Sequence, residues 1–246
     1  MKDFYLQVEL NPGFKGMTES RQQQDIVIFI APPGAGKGSI SQKCIKELGW
    51  EQLSTGNLCR KNIEKGSELG QKIDFAIKSG RLVSDDLIVA MVREWFHENP
   101  DRDRTVILDG FPRTVPQAMA FKAMLTAEFP LTRVRVVQLK VSDEELIRRL
   151  TSRLTCSNKD CQQVYSLLES SGMIPKVDLE CDICKSKLTQ RSDDNITTVR
   201  DRLSNYYRHE EDLLNYYSSV GWSIIQVNVE SSLDKVFDQF KSKLDV

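Results

Sequence analysis

Short apolar runs alternate with amphipathic stretches along most of the chain. Ile26-Val-Ile-Phe-Ile30 is unbroken by polar residues and rich in β-branched side chains. A run without two-residue alternation suits a strand buried on both faces of a parallel sheet. Thr105-Val-Ile-Leu108, Val134 to Leu139 and Ser223-Ile-Ile-Gln-Val227 repeat the pattern. Between and after them, helical periodicity predicts helices at about 37–48, 86–97, 116–127, 143–153, 194–217 and 232–244. Strands alternating with helices predict an α/β fold with a parallel sheet. Two regions fall outside this rhythm. Residues 1–24 are mixed and polar and are expected to form an N-terminal extension. Residues from about 155 to 190 carry Gly172, Pro175 and little helical patterning, as expected of a small inserted domain.

Composition narrows the class of molecule. The 246 residues suffice for one sizeable core, or one core with an insertion. The net charge of −1 gives no broad basic field for nucleic acid. The longest apolar run, Ile26 to Ala31, is far short of the roughly 20 residues of a membrane span. There is no apolar signal region near the N-terminus, so a cytoplasmic location is expected. Nothing in the pattern demands more than a monomer.

The first strand runs directly into Ala31-Pro-Pro-Gly-Ala-Gly-Lys-Gly-Ser39, and a helix follows. Glycines let successive N–H groups turn toward a phosphate, and the helix N-terminus adds its positive dipole end. Lys37 can reach β- and γ-phosphates, and the Ser39 hydroxyl can approach phosphate or magnesium. Ala31 stands where this motif usually has Gly, and Gly38 displaces the hydroxyl by one position. Asp109 ends a second apolar strand. Its carboxylate can hold magnesium through water, or cap the turn that Gly110 and Pro112 favour. There are only two histidines, His97 and His209, and neither lies in a motif. A hydroxyl acceptor would benefit from a general base. A phosphate ester needs none, because its second pKa of about 6 leaves the oxygen largely ionised at pH 7.

Four of the six cysteines form the pairs Cys156/Cys161 (C-x4-C) and Cys181/Cys184 (C-x2-C). Two short-spaced pairs can present four thiolates to a structural zinc, and so small an insert needs a cross-link. Free thiols, or disulfides in an oxidising setting, are the alternatives. Few aromatics and no dense basic stripe disfavour a nucleic-acid-binding ribbon.

Further motifs carry a resemblance. Leu53-Ser-Thr-Gly-Asn-Leu-Cys-Arg60, Gly80-Arg-Leu-Val-Ser-Asp-Asp86, Leu108-Asp-Gly-Phe-Pro-Arg-Thr114 with Gln117, Gln190-Arg-Ser-Asp-Asp194 and Arg200-Asp-Arg202 follow one another in order. Together with the phosphate loop they resemble adenylate kinases of the long-lid, zinc-bearing type over about residues 25–240. The resemblance implies a three-layer P-loop fold with a central five-stranded parallel sheet. An AMP-binding arm at about 54–83 and a zinc lid at about 155–190 would be inserted in it. It implies Mg-dependent phosphoryl transfer between ATP and AMP. Gly34, Ala35, Gly36, Lys37, Gly38 and Ser39 would hold the ATP phosphates. Arg153, and Arg149 with it, would contact ATP from the lid side. Val164 and Tyr165 would lie over its base, and Ser231 would touch it through backbone. Thr55 and Gln117 would read the AMP base, and Arg60 and Arg113 would grip its phosphate. Arg81, Leu82 and Val83 would line that pocket, with Gly110, Phe111 and Pro112 beside Arg113. Arg191 and Arg202 would bridge toward the transferring phosphate. Asn57 and Ser84 depart from the commonest family residues at their positions. Because this family holds the donor base largely through backbone, GTP as donor stays open.

Overall fold

A computed structural model describes residues 24–78, 83–99, 104–158, 160–191 and 194–246. The expected N-terminal extension, apart from Gln24, lies outside the described residues, as do Arg81, Leu82 and the side chain of Arg60. Gln24 itself belongs to the folded body. It is 2% exposed, and its carbonyl accepts from the Arg133 N–H at 2.9 Å.

Five parallel strands form the main sheet: β1 (Asp25–Ile30), β2 (Glu51–Ser54), β3 (Val106–Asp109), β4 (Arg133–Lys140) and β8 (Ser223–Asn228). Their order is β2-β3-β1-β4-β8, with β1 paired in parallel to both β3 and β4. Among the described residues, eight α-helices accompany the strands: α1 (Lys37–Leu48), α2 (Thr55–Lys65), α3 (Glu68–Lys78), α4 (Asp85–Glu98), α5 (Val115–Glu128), α6 (Asp143–Thr151), α7 (Ile196–Ser219) and α8 (Leu233–Leu244).

The unbroken apolar run of β1 has the cause its pattern predicted. Ile26, Ile28 and Ile30 enter one core with Met91, Phe96, Phe121 and Tyr217. Val27 and Phe29 enter the other, with Ile40, Leu150, Phe237 and Phe240. Both faces of the strand are therefore dry, which gives a three-layer body. Each fully buried aliphatic side chain contributes roughly 1.5–3 kcal/mol.

Several elements depart from the predicted pattern. The edge strand β2 was not anticipated, because Leu53 is its one fully buried residue. The helices α2 and α3 fill the expected arm and pack chiefly on each other. The helix expected to reach 153 stops at Thr151, since Arg153 already belongs to β5 (Arg153–Cys156). With β6 (Val164–Ser166) and β7 (Leu188–Thr189), β5 makes a separate antiparallel sheet ordered β6-β5-β7. A third core of Leu154, Cys156, Tyr165, Cys181 and Leu188 sits on this sheet. Among the described residues, no helix is long and apolar enough to cross a membrane.

Candidate active site

The strand order reverses at β1, and in open parallel sheets the carboxyl ends of strands at such a point form the binding crevice. The loop after β1 lies there. Gly34 and Gly36 have φ of +86° and +88°, a left-handed backbone that side chains disfavour. At Gly34 space matters as well, since a Cβ would stand 2.8 Å from Leu150 Cγ. Ala31 is not among the described non-glycine residues with positive φ, so the missing glycine costs the loop nothing there. From this loop Lys37 Nζ reaches Asp109 Oδ1 at 2.7 Å, across the β1–β3 pair. The other oxygen, Oδ2, accepts from Gln52 Nε2 at 3.1 Å. Gln52 on β2 had no role in the sequence reading. It emerges only because β2 lies beside β3. Ser39 Oγ donates to the sulfur of Met173, in the lid, at 3.6 Å.

One strand along, the pairing of Ser54 with Asp109 brings Thr55 beside Gly110. The Gly110 carbonyl accepts from Thr55 Oγ1 at 3.3 Å and from Arg113 Nε at 2.8 Å. Gly110 is itself left-handed at +77°, and a Cβ there would lie 2.7 Å from an Arg113 terminal nitrogen. Gln117 joins the cluster by accepting from the Arg113 N–H at 2.8 Å. Its amide nitrogen donates to Asp85 Oδ1 at 2.7 Å, and Thr114 Oγ1 donates to Asp85 Oδ2 at 2.9 Å. Val83 is half-buried against the main core beside this cluster. Phe111 turns its ring inward, 2% exposed and edge-on to Phe121 at 5.3 Å, and Pro112 is buried. What the Gly110–Pro112 turn offers a ligand is therefore backbone.

The remaining arginines are organised by carboxylates. Asp194, 1% exposed, receives Arg153 through both oxygens at 2.5 and 2.8 Å and Arg202 at 3.5 Å. Arg149 donates to Glu145 at 2.7 Å and to the Val229 carbonyl at 2.6 Å. The second bond ties α6 to the loop that carries the exposed Ser231. Leu150, between Arg149 and Arg153 in the chain, lies against Gly34 of the phosphate loop and so sets α6 beside it. Arg191 is exposed at the return from the lid. In β6, Val164 is 37% exposed, whereas Tyr165 is buried and accepts from the Asp182 N–H at 2.8 Å.

The four lid cysteines converge. Their sulfurs all lie within 4.8 Å of one another, with Cys156–Cys184 at 3.3 Å and Cys161–Cys181 at 3.7 Å. Sulfurs bound tetrahedrally at about 2.3 Å would stand about 3.8 Å apart, so the donor set fits zinc. Burial pushes the Cys156 thiol up to about 12, whereas hydrogen bonds from the Ser186 hydroxyl and N–H draw that of Cys184 down to about 6. A cation would let all four ionise together. Cys44 is buried in the main body and Cys59 is half-buried, well apart in role from this group.

The sequence reading assigned no role to Asp85, although it lies in a motif that had been singled out. Asp194, likewise quoted in a motif, gathers two of the expected arginines. Asp85's partners and Arg153 are far away in sequence, so no local pattern marks these carboxylates.

Comparison with known proteins follows the same geometry. The family described as "Adenylate kinase" matches residues 29–222. The chain is 37% identical to an adenylate kinase of Archaeoglobus fulgidus over 219 residues, 89% of this chain and 97% of that protein. It is 38% identical to one from Carboxydothermus hydrogenoformans over 218 residues, covering 89% and 98% of the two chains. With one from Rhizobium rhizogenes it shares 41% over 196 residues, 79% and 88% respectively.

Proposed function

The chain belongs to the adenylate kinase family, and from that premise we propose that it catalyses reversible, Mg-dependent transfer of a phosphoryl group from ATP to AMP, giving two ADP. The observation that carries the reading is the meeting of two half-sites at the ends of β1 and β3. Lys37 and Asp109 join across the strands at 2.7 Å; at the very next residue the Gly110 carbonyl accepts from Thr55 and Arg113, and Gln117 accepts from the Arg113 N–H.

The donor binds on one side of this junction. Backbone N–H groups of Gly34 to Ser39 and the start of α1 cradle its phosphates. Lys37 moves from Asp109 to the phosphate oxygens. Asp109 and the Ser39 hydroxyl would then hold magnesium, which neutralises developing charge on the transferring group. The acceptor binds on the other side, with Thr55 and Gln117 at its base and Arg113 and Arg60 at its phosphate. By resemblance to the family, Arg81, Leu82 and Val83 would line that pocket. Planar guanidinium forks suit phosphate oxygens in pairs, and Arg149, Arg153, Arg191 and Arg202 close the charge around the transfer path. Asp194 holds Arg153 and Arg202 in place before any substrate arrives. No base is required, because the AMP phosphate is already ionised.

The cysteine cluster supports a structural zinc that stiffens the lid, since its sulfurs leave no open ligand position for catalysis. The contact between Met173 and Ser39 supports a lid that settles over the phosphate loop and excludes water, the competing acceptor. A coupled assay of ADP formation from ATP and AMP checks the reading, with GTP as the alternative donor. Turnover that depends on AMP is expected. Purified protein that gives none contradicts it.

A further inference from the structure

The amide of Gln117 can be oriented without ambiguity. Its oxygen faces the Arg113 N–H at 2.8 Å, which can only donate. Its nitrogen faces Asp85 Oδ1 at 2.7 Å, and an ionised carboxylate can only accept. Both partners favour the same orientation, and the charged one contributes the stronger bond. Asp85 is held in turn, because its second oxygen accepts from the Thr114 hydroxyl at 2.9 Å. Thr114 is the N-cap of α5 and accepts from the Gln117 N–H at 3.2 Å. Asp85 is the first residue of α4, next to the N-cap Ser84, so two helix starts converge on one amide. Gln117 is 5% exposed, and water cannot readily replace these partners.

This arrangement has a consequence for base choice. After both internal bonds, Gln117 keeps one N–H and one carbonyl lone pair. The six-amino purine edge presents an acceptor at N1 and donors at the exocyclic amine. The six-oxo purine edge presents the reverse, a donor at N1–H and an acceptor at the oxygen. A freely rotating amide could turn over and serve either. In this chain, turning over would set the carbonyl against the Asp85 carboxylate and the NH2 group against the Arg113 N–H, with two favourable contacts replaced by two repulsive ones.

We propose that Asp85 is a positioning residue that locks the Gln117 amide and so selects a six-amino over a six-oxo purine monophosphate as acceptor. The proposal rests on the reading that Gln117 faces the acceptor base. The polarity of that residue is then set not by its own chemistry but by a carboxylate that never touches substrate.

The test compares AMP with inosine monophosphate, which differ only at N1 and C6, in wild type and in Asp85→Asn. Asn fills the same space but can donate or accept, and so removes one of the two contacts that oppose the turned-over amide. The expected result is a fall of about tenfold to a hundredfold in the AMP-to-IMP ratio of kcat/KM, the discrimination typical of one paired base edge. The melting temperature and the KM for ATP should stay close to wild type. Equal losses for both acceptors, or an unmoved ratio, overturn the proposal. Asp85→Ser, which removes the carboxylate without adding volume, should shift the ratio in the same direction and guards against a local effect of Asn. Gln117→Met separates the two readings. If its ratio stays at the wild-type value, the base is read elsewhere and the assignment of Gln117 fails together with that of Asp85. If Gln117→Met collapses the ratio while Asp85→Asn and Asp85→Ser do not, only the lock fails.

Discussion

At the scale of single residues, the site depends on cations held ready by neighbours. Arg113 is aimed by the Gly110 carbonyl, which also receives Thr55. Because Gly110 carries no Cβ, the guanidinium can lie against its backbone. Removing one preorganised donor from a transition state typically costs about 3–4 kcal/mol. Arg113→Ala is therefore expected to lower kcat/KM for AMP by a hundredfold or more, measured with ATP saturating. A tenfold loss or less would argue against its place in the transfer. The loop glycines and the Asp109–Arg113 turn were legible in the sequence, since each motif is local and its residue types are dictated by backbone shape. Gln52, Asp85 and Asp194 were not. Asp85 meets its partners 29 and 32 positions away, and Asp194 meets Arg153 at a separation of 41. No local pattern announces such a pairing.

At the scale of elements, legibility followed burial. The strands β1, β3, β4 and β8 stood out as apolar runs, whereas β2 did not. It is an edge strand whose Gln52 points a polar group at Asp109. The helices α2 and α3 carry few fully buried residues and lie in a segment dominated by charged and polar side chains, so apolar positions are sparse there. The helix α6 is anchored by Glu145, which receives Arg148 and Arg149 at 2.7 Å each. The hydrogen bond from Arg148, with further help from Arg149, holds this carboxyl below its ordinary value of 4.5. A depressed carboxyl contributes stability that is complete above its unfolded value and is lost as pH falls through its folded one. The stability gap between wild type and Glu145→Gln should thus be widest near pH 6–7 and close below about pH 4. Urea melts across that range check this, and a gap independent of pH would refute it. The lid makes a second prediction. A chelator, or Cys181→Ser, should lower the melting temperature of the lid while nucleotide-phosphate binding to the loop persists. An unchanged melting profile with chelator would remove zinc from the account.

At the scale of the whole molecule, the parallel sheet brings the proposed donor and acceptor residues to the adjacent ends of β1 and β3. The lid's own sheet and core make it a small body separate from the main one, attached through α6 and α7. Its Met173 sulfur accepts from the Ser39 hydroxyl at 3.6 Å, a contact that in the proposed reaction would help keep water from the donor phosphates. The most direct measurement follows the phosphoryl group itself. The protein is incubated with AMP and ATP labelled at the γ-phosphate, and the products are separated. The account predicts that the label appears in ADP, that its transfer requires AMP, and that almost none is released as inorganic phosphate. Label released mainly as inorganic phosphate, or left in ATP when AMP is present, would contradict it.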